Sequence, residues 1–121
     1  MIDRIRLTAA AKIQLSTLKR KTGIEHYNSI CRHALCISLA NPSIPPSEEL
    51  NFNGGLEIDW RVFAGGNDEL YLNLIMSRAV ADGLGCSIEN IRRVCASHLH
   101  RGLSYLVGKD DDYLVYGAGA F

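Results

Sequence analysis

The chain has 121 residues, of which 47% are apolar and 21% are charged, and this composition is typical of one globular domain and excludes intrinsic disorder. Thirteen Lys and Arg side chains balance thirteen Asp and Glu, so the formal net charge is zero. The balance hides an asymmetry, because the first forty residues carry seven basic and only two acidic side chains. This pattern predicts one basic face that is able to bind a polyanion.

The composition also limits the cellular location and the bound groups that we expect. No apolar run reaches the ~18 residues that a membrane span needs, and the N-terminus lacks the apolar core of a signal peptide. The four cysteines lack the C-x-x-C spacing of metal and redox motifs. We therefore expect a cytoplasmic protein with reduced thiols, no membrane association, no metal and no cofactor.

The first residues predict a short strand. Residues 2–7 alternate in character, so that Ile5 and Leu7 lie on one side of the strand and Arg4 and Arg6 on the other. A strand needs a partner for its backbone groups, and the other alternating pattern is Leu56–Val62. The sequence leaves open whether these strands pair within one chain or between two chains.

Four helices are predicted from the spacing of apolar residues and from their end signals. Thr8 is a suitable N-cap for the first helix, and Gly23 is suited to end it. All three prolines fall within 42–46 and mark a loop. We predict a mainly α fold, α+β at most, with one domain over 1–107 and a tail over 108–121. The predicted helices are 9–21, about 25–39, about 68–82 and about 88–107.

The strand–helix–helix order of the N-terminal third resembles the ribbon-helix-helix module, in which strands of two chains pair and enter the major groove of DNA. The alternative is a solvated basic face, on which the basic residues at the end of the first helix only stabilise its dipole. That alternative does not account for the basic residues outside the last turn. The candidate DNA-binding residues are Arg4, Arg6, Lys12, Lys19, Arg20 and Lys21.

Other chemistry finds little support in the sequence. His98 and His100 diverge by about 200° around a helix and so cannot chelate one metal ion together. We expect His98 to face inward and His100 to extend an outward polar surface with Arg93. Cys31 and Cys36 lie on a largely apolar helix, where thiols usually behave as small apolar groups. No Gly-rich phosphate loop, carboxylate pair or HExxH motif is present, so no catalytic residue is predicted.

Three blocks of sequence resemble the DndE family of DNA sulfur modification proteins. This family belongs to the machinery that replaces a non-bridging phosphate oxygen of DNA with sulfur. The resemblance extends over nearly the whole chain to Val107. Its three blocks are residues 4–24, from Arg4-Ile-Arg-Leu-Thr through Lys19-Arg-Lys-Thr-Gly-Ile; residues 28–43, from Asn28-Ser-Ile-Cys-Arg-His to Ala40-Asn-Pro-Ser; and residues 99–106, with Leu99-His-Arg-Gly and Tyr105-Leu106.

The resemblance implies a mainly helical protein that forms a homotetramer and binds duplex DNA, with a preference for nicked forms. It implies work alongside the DndC and DndD proteins, the sulfur-transferring and ATPase components. In this family, DNA contact is attributed to surface lysines. On this chain, the resemblance implies that these are Lys12, Lys19 and Lys21. We therefore predict a non-catalytic, DNA-binding component of phosphorothioate modification. The alternatives are a DNA-nicking enzyme of the same pathway and a ribbon-helix-helix transcriptional regulator.

Overall fold

The computed structural model describes residues 2–109, so the predicted tail lies outside the described residues from position 110 onward. The mainly helical class predicted from the sequence is confirmed. Two short strands form the only sheet within the described range. In chain order the elements are β1 (Arg4–Leu7), α1 (Ala9–Thr22), α2 (Tyr27–Leu39), β2 (Leu56–Asp59), α3 (Trp60–Ala64), α4 (Asp68–Ala81) and α5 (Ile88–Val107).

β1 and β2 pair as an antiparallel ribbon within one chain, which answers the question that the sequence left open. The register places Ile5 opposite Ile58 and Arg6 opposite Glu57. Along β1, apolar residues are buried and arginines are exposed, as the alternation predicts. The strand–helix–helix order is therefore present, but its strand pairing differs from that of a ribbon-helix-helix module, where two chains contribute the two strands.

The second strand is shorter than predicted, because a short helix takes over its last residues. Asp59 Oδ1 accepts a hydrogen bond from the backbone N–H of Arg61 at 2.9 Å and caps α3. Trp60 consequently packs into the core, whereas Val62, predicted on the same side, is 55% exposed. The prediction of one strand over 56–62 is wrong in its second half, and α3 is a fifth helix. An aspartate that caps a helix overrides the alternating pattern here.

The predicted ends of α1 are confirmed. Thr8 Oγ1 accepts a hydrogen bond from the N–H of Ala11 at 3.1 Å, which satisfies a donor of the first turn. Gly23 follows the helix at a φ of 73°, in the left-handed region that glycine adopts without strain. α2 begins at Tyr27 rather than near residue 25, and α4 and α5 end within one residue of the predicted positions.

α5 is the central element and packs against α1, α2, α4 and β1. Its inward side chains, including Leu99 and Leu103, are fully buried. α5 crosses α2 at Gly102, where a Cβ atom would lie only 1.8 Å from the carbonyl oxygen of Ala34. The backbones of α2 and α5 therefore touch at this point. None of the helices within residues 2–109 has the length and apolarity needed to cross a membrane.

Candidate nucleic-acid interface

Four of the six candidate basic residues lie on α1, which packs against the protein on one side only. The buried residues of this helix are Ala11, Leu15 and Leu18. Lys12 and Arg20 are exposed on its outer side. Both line a shallow groove on that outer side, whose other lining residues are Ala9, Ile13, Ser16, Thr17 and Gly54. We call this surface the α1 groove.

The α1 groove carries charge that the described part of the protein does not neutralise. Within residues 2–109, no carboxylate forms an ion pair with Lys12 or Arg20. An exposed cation without a carboxylate partner is available for phosphate oxygens, and binding them releases the counterions of the DNA. The arrangement therefore suits the backbone of a nucleic acid.

Lys19 lies at the junction of α1 and α2. Its Nζ is 5.3 Å from the centre of the Tyr27 ring, within the range of a cation–π interaction. The hydroxyl of Tyr27 is 3.1 Å from Ser16 Oγ, so the ring is also hydrogen-bonded to α1. Lys19, Arg20 and Lys21 all belong to the last turn of α1, where positive charge stabilises the negative end of the helix dipole.

Arg4 and Arg6 are exposed on β1 as predicted, but both form ion pairs with Glu57 on β2. The distances are 3.7 Å from Arg4 Nη1 to Glu57 Oε2 and 3.1 Å from Arg6 Nε to Glu57 Oε1. The Arg6 guanidinium also lies 4.9 Å from the centre of the Phe52 ring. The Glu57 carboxylate offsets one of the two positive charges. This face therefore keeps a positive charge, but a smaller one than the sequence pattern suggested. Sequence reasoning missed Glu57 because only the strand register brings it beside the arginines.

A buried polar cluster joins the end of α2 to α5, and sequence reasoning did not find it. His98 Nδ1 lies 2.8 Å from Ser38 Oγ, and Arg101 Nε donates to the same oxygen at 2.8 Å. The direction of the bond between Ser38 Oγ and His98 Nδ1 depends on the tautomer of the ring. Burial lowers the pKa of His98, so the imidazole is neutral at pH 7. Ser38 is 0% exposed. A substrate cannot reach this hydroxyl, so the Ser–His pair is structural and not catalytic.

Arg78 completes this cluster from α4. Its Nη1 donates to the carbonyl oxygens of Leu39 and Asn41, and its Nη2 donates to that of Ser43. Its Nε is 2.9 Å from a carboxylate oxygen of Asp82. The two arginines thus hold the C-terminal carbonyls of α2 and the chain that follows it. Basic side chains are the favourable partners for a helix C-terminus.

The stability of the protein should decrease as the pH falls from about 6.5 to 4. Burial, with the nearby charges of Arg78 and Arg101, lowers the pKa of His98 from 6.5 to about 4. The unfolded chain therefore takes up the proton first, so the contribution of neutral His98 is complete above 6.5 and is lost towards pH 4. At about 1.4 kcal/mol per pKa unit, the loss is about 3 kcal/mol. Denaturant unfolding at pH 7.5, 6 and 5 measures it.

The variant His98→Asn identifies the source of this pH dependence. Asparagine can place a hydrogen-bonding group near Ser38 but does not titrate. The free energy of unfolding of His98→Asn should therefore change less between pH 7.5 and 5 than that of the wild type. His26→Asn, at an exposed site, is the control and should keep the wild-type slope. An equal slope in wild type and His98→Asn would assign the acid sensitivity to other groups.

His100 does not lie on an outward polar surface, and this prediction is wrong. Its Nδ1 is 2.7 Å from the carbonyl oxygen of Ala96, and its Nε2 accepts a hydrogen bond from the Thr8 N–H at 3.2 Å. Burial lowers the pKa of His100, in keeping with a neutral ring that donates at one nitrogen and accepts at the other. The helix phase alone could not show that the β1–α1 turn covers this side chain. Arg93 is exposed as expected.

Within residues 2–109, no group of three or more His, Cys, Asp or Glu side chains is placed to hold a metal ion. All four cysteines are free. Burial raises the pKa of both Cys31 and Cys95 to about 12, so these thiols stay protonated and pack as apolar groups. Cys36 lies at the surface, and desolvation of its thiol by neighbouring groups raises its pKa as well.

Comparison with known proteins gives the family. The family described as "DNA sulphur modification protein DndE" matches residues 4–112. The chain belongs to the DndE family. A solved structure, that of DndE from Escherichia coli B7A, "involved in DNA phosphorothioation modification", superposes with a TM-score of 0.71 at 20% sequence identity. The superposition covers 86% of this chain and 97% of the Escherichia coli chain, and it shows that the two share a fold. No curated protein matches the chain.

Proposed function

We propose that this DndE family member is a non-catalytic, DNA-binding component of DNA phosphorothioation, and that it binds duplex DNA through the α1 groove and the adjoining basic residues. The observation that carries the proposal is the pair Lys12 and Arg20, exposed in one groove with no carboxylate partner within residues 2–109. Contacts of this kind are made to phosphates and give affinity without sequence choice.

The geometry of α1 supports contact along the DNA backbone. Lys12 and Lys19 are seven residues apart, which places them on the same side of the helix and about 10 Å apart along its axis. Arg20 and Lys21 extend the charge to the end of the helix, and Arg4 and Arg6 add a second cluster on β1. We expect the α1 residues to contribute more to binding than the β1 arginines, because Glu57 partly neutralises the latter.

The proposed contacts are few in each chain, and this favours binding by an assembly. Each exposed cation contributes a modest, salt-dependent gain in affinity. Several copies on one duplex would multiply these contacts and raise the avidity. We therefore include in the proposal the homotetramer, the preference for nicked duplex and the support of the DndC and DndD proteins that the family resemblance implies. The pairing of β1 with β2 in one chain argues against a ribbon-helix-helix regulator.

The double variant Lys12→Glu/Arg20→Glu should weaken binding to a nicked duplex at least tenfold. It replaces two attractive charges with two repulsive ones at the centre of the α1 groove, and the helix retains its buried face. The slope of log K against log salt concentration should become less steep by about two, since each lost phosphate contact contributes about 0.9. Fluorescence anisotropy over a salt series gives both quantities, with the intact duplex of the same sequence for comparison.

The control is Arg61→Glu/Lys109→Glu, which makes the same change in net charge at exposed positions on α3 and just after the end of α5. This variant should bind within about threefold of the wild type, because only the general field of the protein changes. If both double variants lose the same affinity, binding depends on net charge and the α1 groove is not the site.

A further inference from the structure

A cleft of about 400 Å³ lies between β1, the N-terminal part of α5 and the segment of residues 48–52. Buried apolar residues of β1 and α5 line it, among them Ile5 and Leu99. Leu50 and Phe52 line it from the segment. The volume is within the range of small-molecule sites, which combine apolar walls with a few polar groups. This cleft and the α1 groove share no lining residue.

The backbone of β1 presents unpaired groups to the cleft. The N–H of Trp60 donates to the carbonyl oxygen of Asp3, so the odd-numbered residues from 3 to 7 form the hydrogen-bonded pairs with β2. Bonded and non-bonded residues alternate along an antiparallel strand, so the N–H and C=O groups of Arg4 and Arg6 point away from β2. The N–H of Thr8, the next residue in this alternation, donates to a side chain on α5 and so points the same way.

The carbonyl oxygen of Arg4 and the N–H of Arg6 are an acceptor and a donor side by side on this edge. Neither has a hydrogen-bond partner within residues 2–109. Adenine matches this pair, because its amino group donates and the adjacent ring nitrogen accepts. Hypoxanthine does not match, because a carbonyl oxygen replaces the amino group and the ring nitrogen carries a proton. The apolar walls and the Phe52 ring suit the flat faces of a base.

The charged groups of the cleft provide one place for a phosphate. The charged side chains that line it are Arg4, Arg6, Arg92, Arg93, Asp3 and Glu48. Outside the lining, Glu57 pairs with both β1 arginines, and Glu89 pairs with Arg93. Arg92 has no ion pair within residues 2–109, so its guanidinium is available to a phosphate.

The carboxylates limit the charge of the ligand. Asp3 and Glu48 only accept hydrogen bonds, which suits the hydroxyl groups of a sugar. Together with Glu57 and Glu89 they equal the four arginines in number, so a ligand with several phosphate groups would be repelled. The cleft therefore suits an apolar base, a sugar and a single phosphate.

We propose that this cleft binds one adenine nucleoside monophosphate unit, with the base on the edge of β1 and the phosphate at Arg92. The unit is either a free nucleotide or the nucleotide at the end of a DNA strand, since the two have the same chemistry. This site is separate from the α1 groove and does not depend on DNA binding there.

Titration of the full-length protein with deoxyadenosine monophosphate (dAMP), followed by NMR of the backbone amides, tests the proposal. Saturating dAMP should shift the Arg6 resonance more than those of Ile5 and Leu7, whose N–H groups face β2. Deoxyinosine monophosphate, which carries hypoxanthine, should bind at least tenfold more weakly because it lacks the amino donor. The proposal is overturned if dAMP shows no saturable binding, if the Arg6 resonance does not move, or if the two nucleotides bind equally.

The variant Arg92→Glu tests the position of the phosphate. Arg92 is exposed and has no ion pair within residues 2–109, so the variant should fold as the wild type does. Its affinity for dAMP should fall at least tenfold, because an attractive charge becomes a repulsive one. Arg61→Glu makes the same change on α3, outside the cleft, and should bind dAMP within about threefold of the wild type. Equal affinity in Arg92→Glu and Arg61→Glu would contradict the proposal.

Nicked duplexes that end in dA or in deoxyinosine at the nick distinguish the two sources of the ligand. If the dA end displaces dAMP better than the deoxyinosine end, the cleft binds a strand end, and equal displacement assigns it to a free nucleotide. The variant Lys12→Glu/Arg20→Glu should keep the wild-type affinity for dAMP, because both changes lie outside the cleft. Failure of the α1 groove and failure of the cleft are thereby measured separately.

Discussion

Replacing Gly102 with alanine should destabilise the protein by about 3–5 kcal/mol, a large part of the 5–15 kcal/mol that stabilises a typical domain. The new Cβ would lie 1.8 Å from the carbonyl oxygen of Ala34 and 2.8 Å from its Cα, so the obstruction is backbone and cannot rotate away. Relief requires α2 and α5 to separate along a contact that forms the centre of the core. Alanine improves helix propensity by about 1 kcal/mol, which is too little to compensate.

Urea unfolding of Gly102→Ala and Gly108→Ala compares a position inside α5 with the C-cap of the same helix. At Gly108 the nearest atoms to a new Cβ are 3.5 Å away, and the backbone is right-handed helical, so alanine should be neutral or slightly stabilising. Equal unfolding midpoints for Gly102→Ala and the wild type would show that the backbones of α2 and α5 are not in contact at Gly102.

Replacing Arg101 with alanine should cost about 3 kcal/mol, because a partly buried hydrogen-bond network loses a charged donor. Arg101 donates to the side chain and the carbonyl oxygen of Ser38, and to both corresponding atoms of Ser43. These acceptors would be left without that partner where the chain leaves α2. Arg101→Lys should also be destabilising, since an ammonium group cannot reproduce the planar fork of the guanidinium.

Arg93→Ala provides the control for Arg101 on the same helix. Arg93 is 65% exposed and pairs only with Glu89 within residues 2–109, a surface contact that is worth less than about 1 kcal/mol. Thermal and denaturant unfolding of the three variants should therefore place Arg93→Ala close to the wild type and Arg101→Ala well below it. If Arg101→Ala is as stable as Arg93→Ala, the cluster at the end of α2 is not a source of stability.

The features that depend on neighbouring residues could be read from the sequence. The alternation of β1, the Thr8 cap, the Gly23 end and the burial of His98 all follow from spacing within a few residues, and all are present. The basic side of α1 follows from the helical period alone, so its exposed residues could be named in advance. Their contact with DNA remains a prediction.

The features that depend on distant residues could not be read in the same way. Arg6 and Glu57 are neighbours only through the strand register, and Ser38 meets His98 and Arg101 only through the crossing of α2 and α5. The sequence gives no local sign of either contact. The end of β2 is a different case, because Asp59 caps a helix that the alternating pattern does not indicate.

The central position of α5 also has a consequence for the way the protein is made. Within residues 2–109, α5 is synthesised after the other helices, although α1, α2 and α4 pack against it, and β1 pairs with a strand some fifty residues further along the chain. Contacts this distant along the chain form slowly, and nascent segments without their partners expose apolar surface in the meantime. We therefore expect the described part of the chain to acquire its native structure only after α5 has been synthesised, and a chain that stops before α5 to lack the helix at the centre of its core.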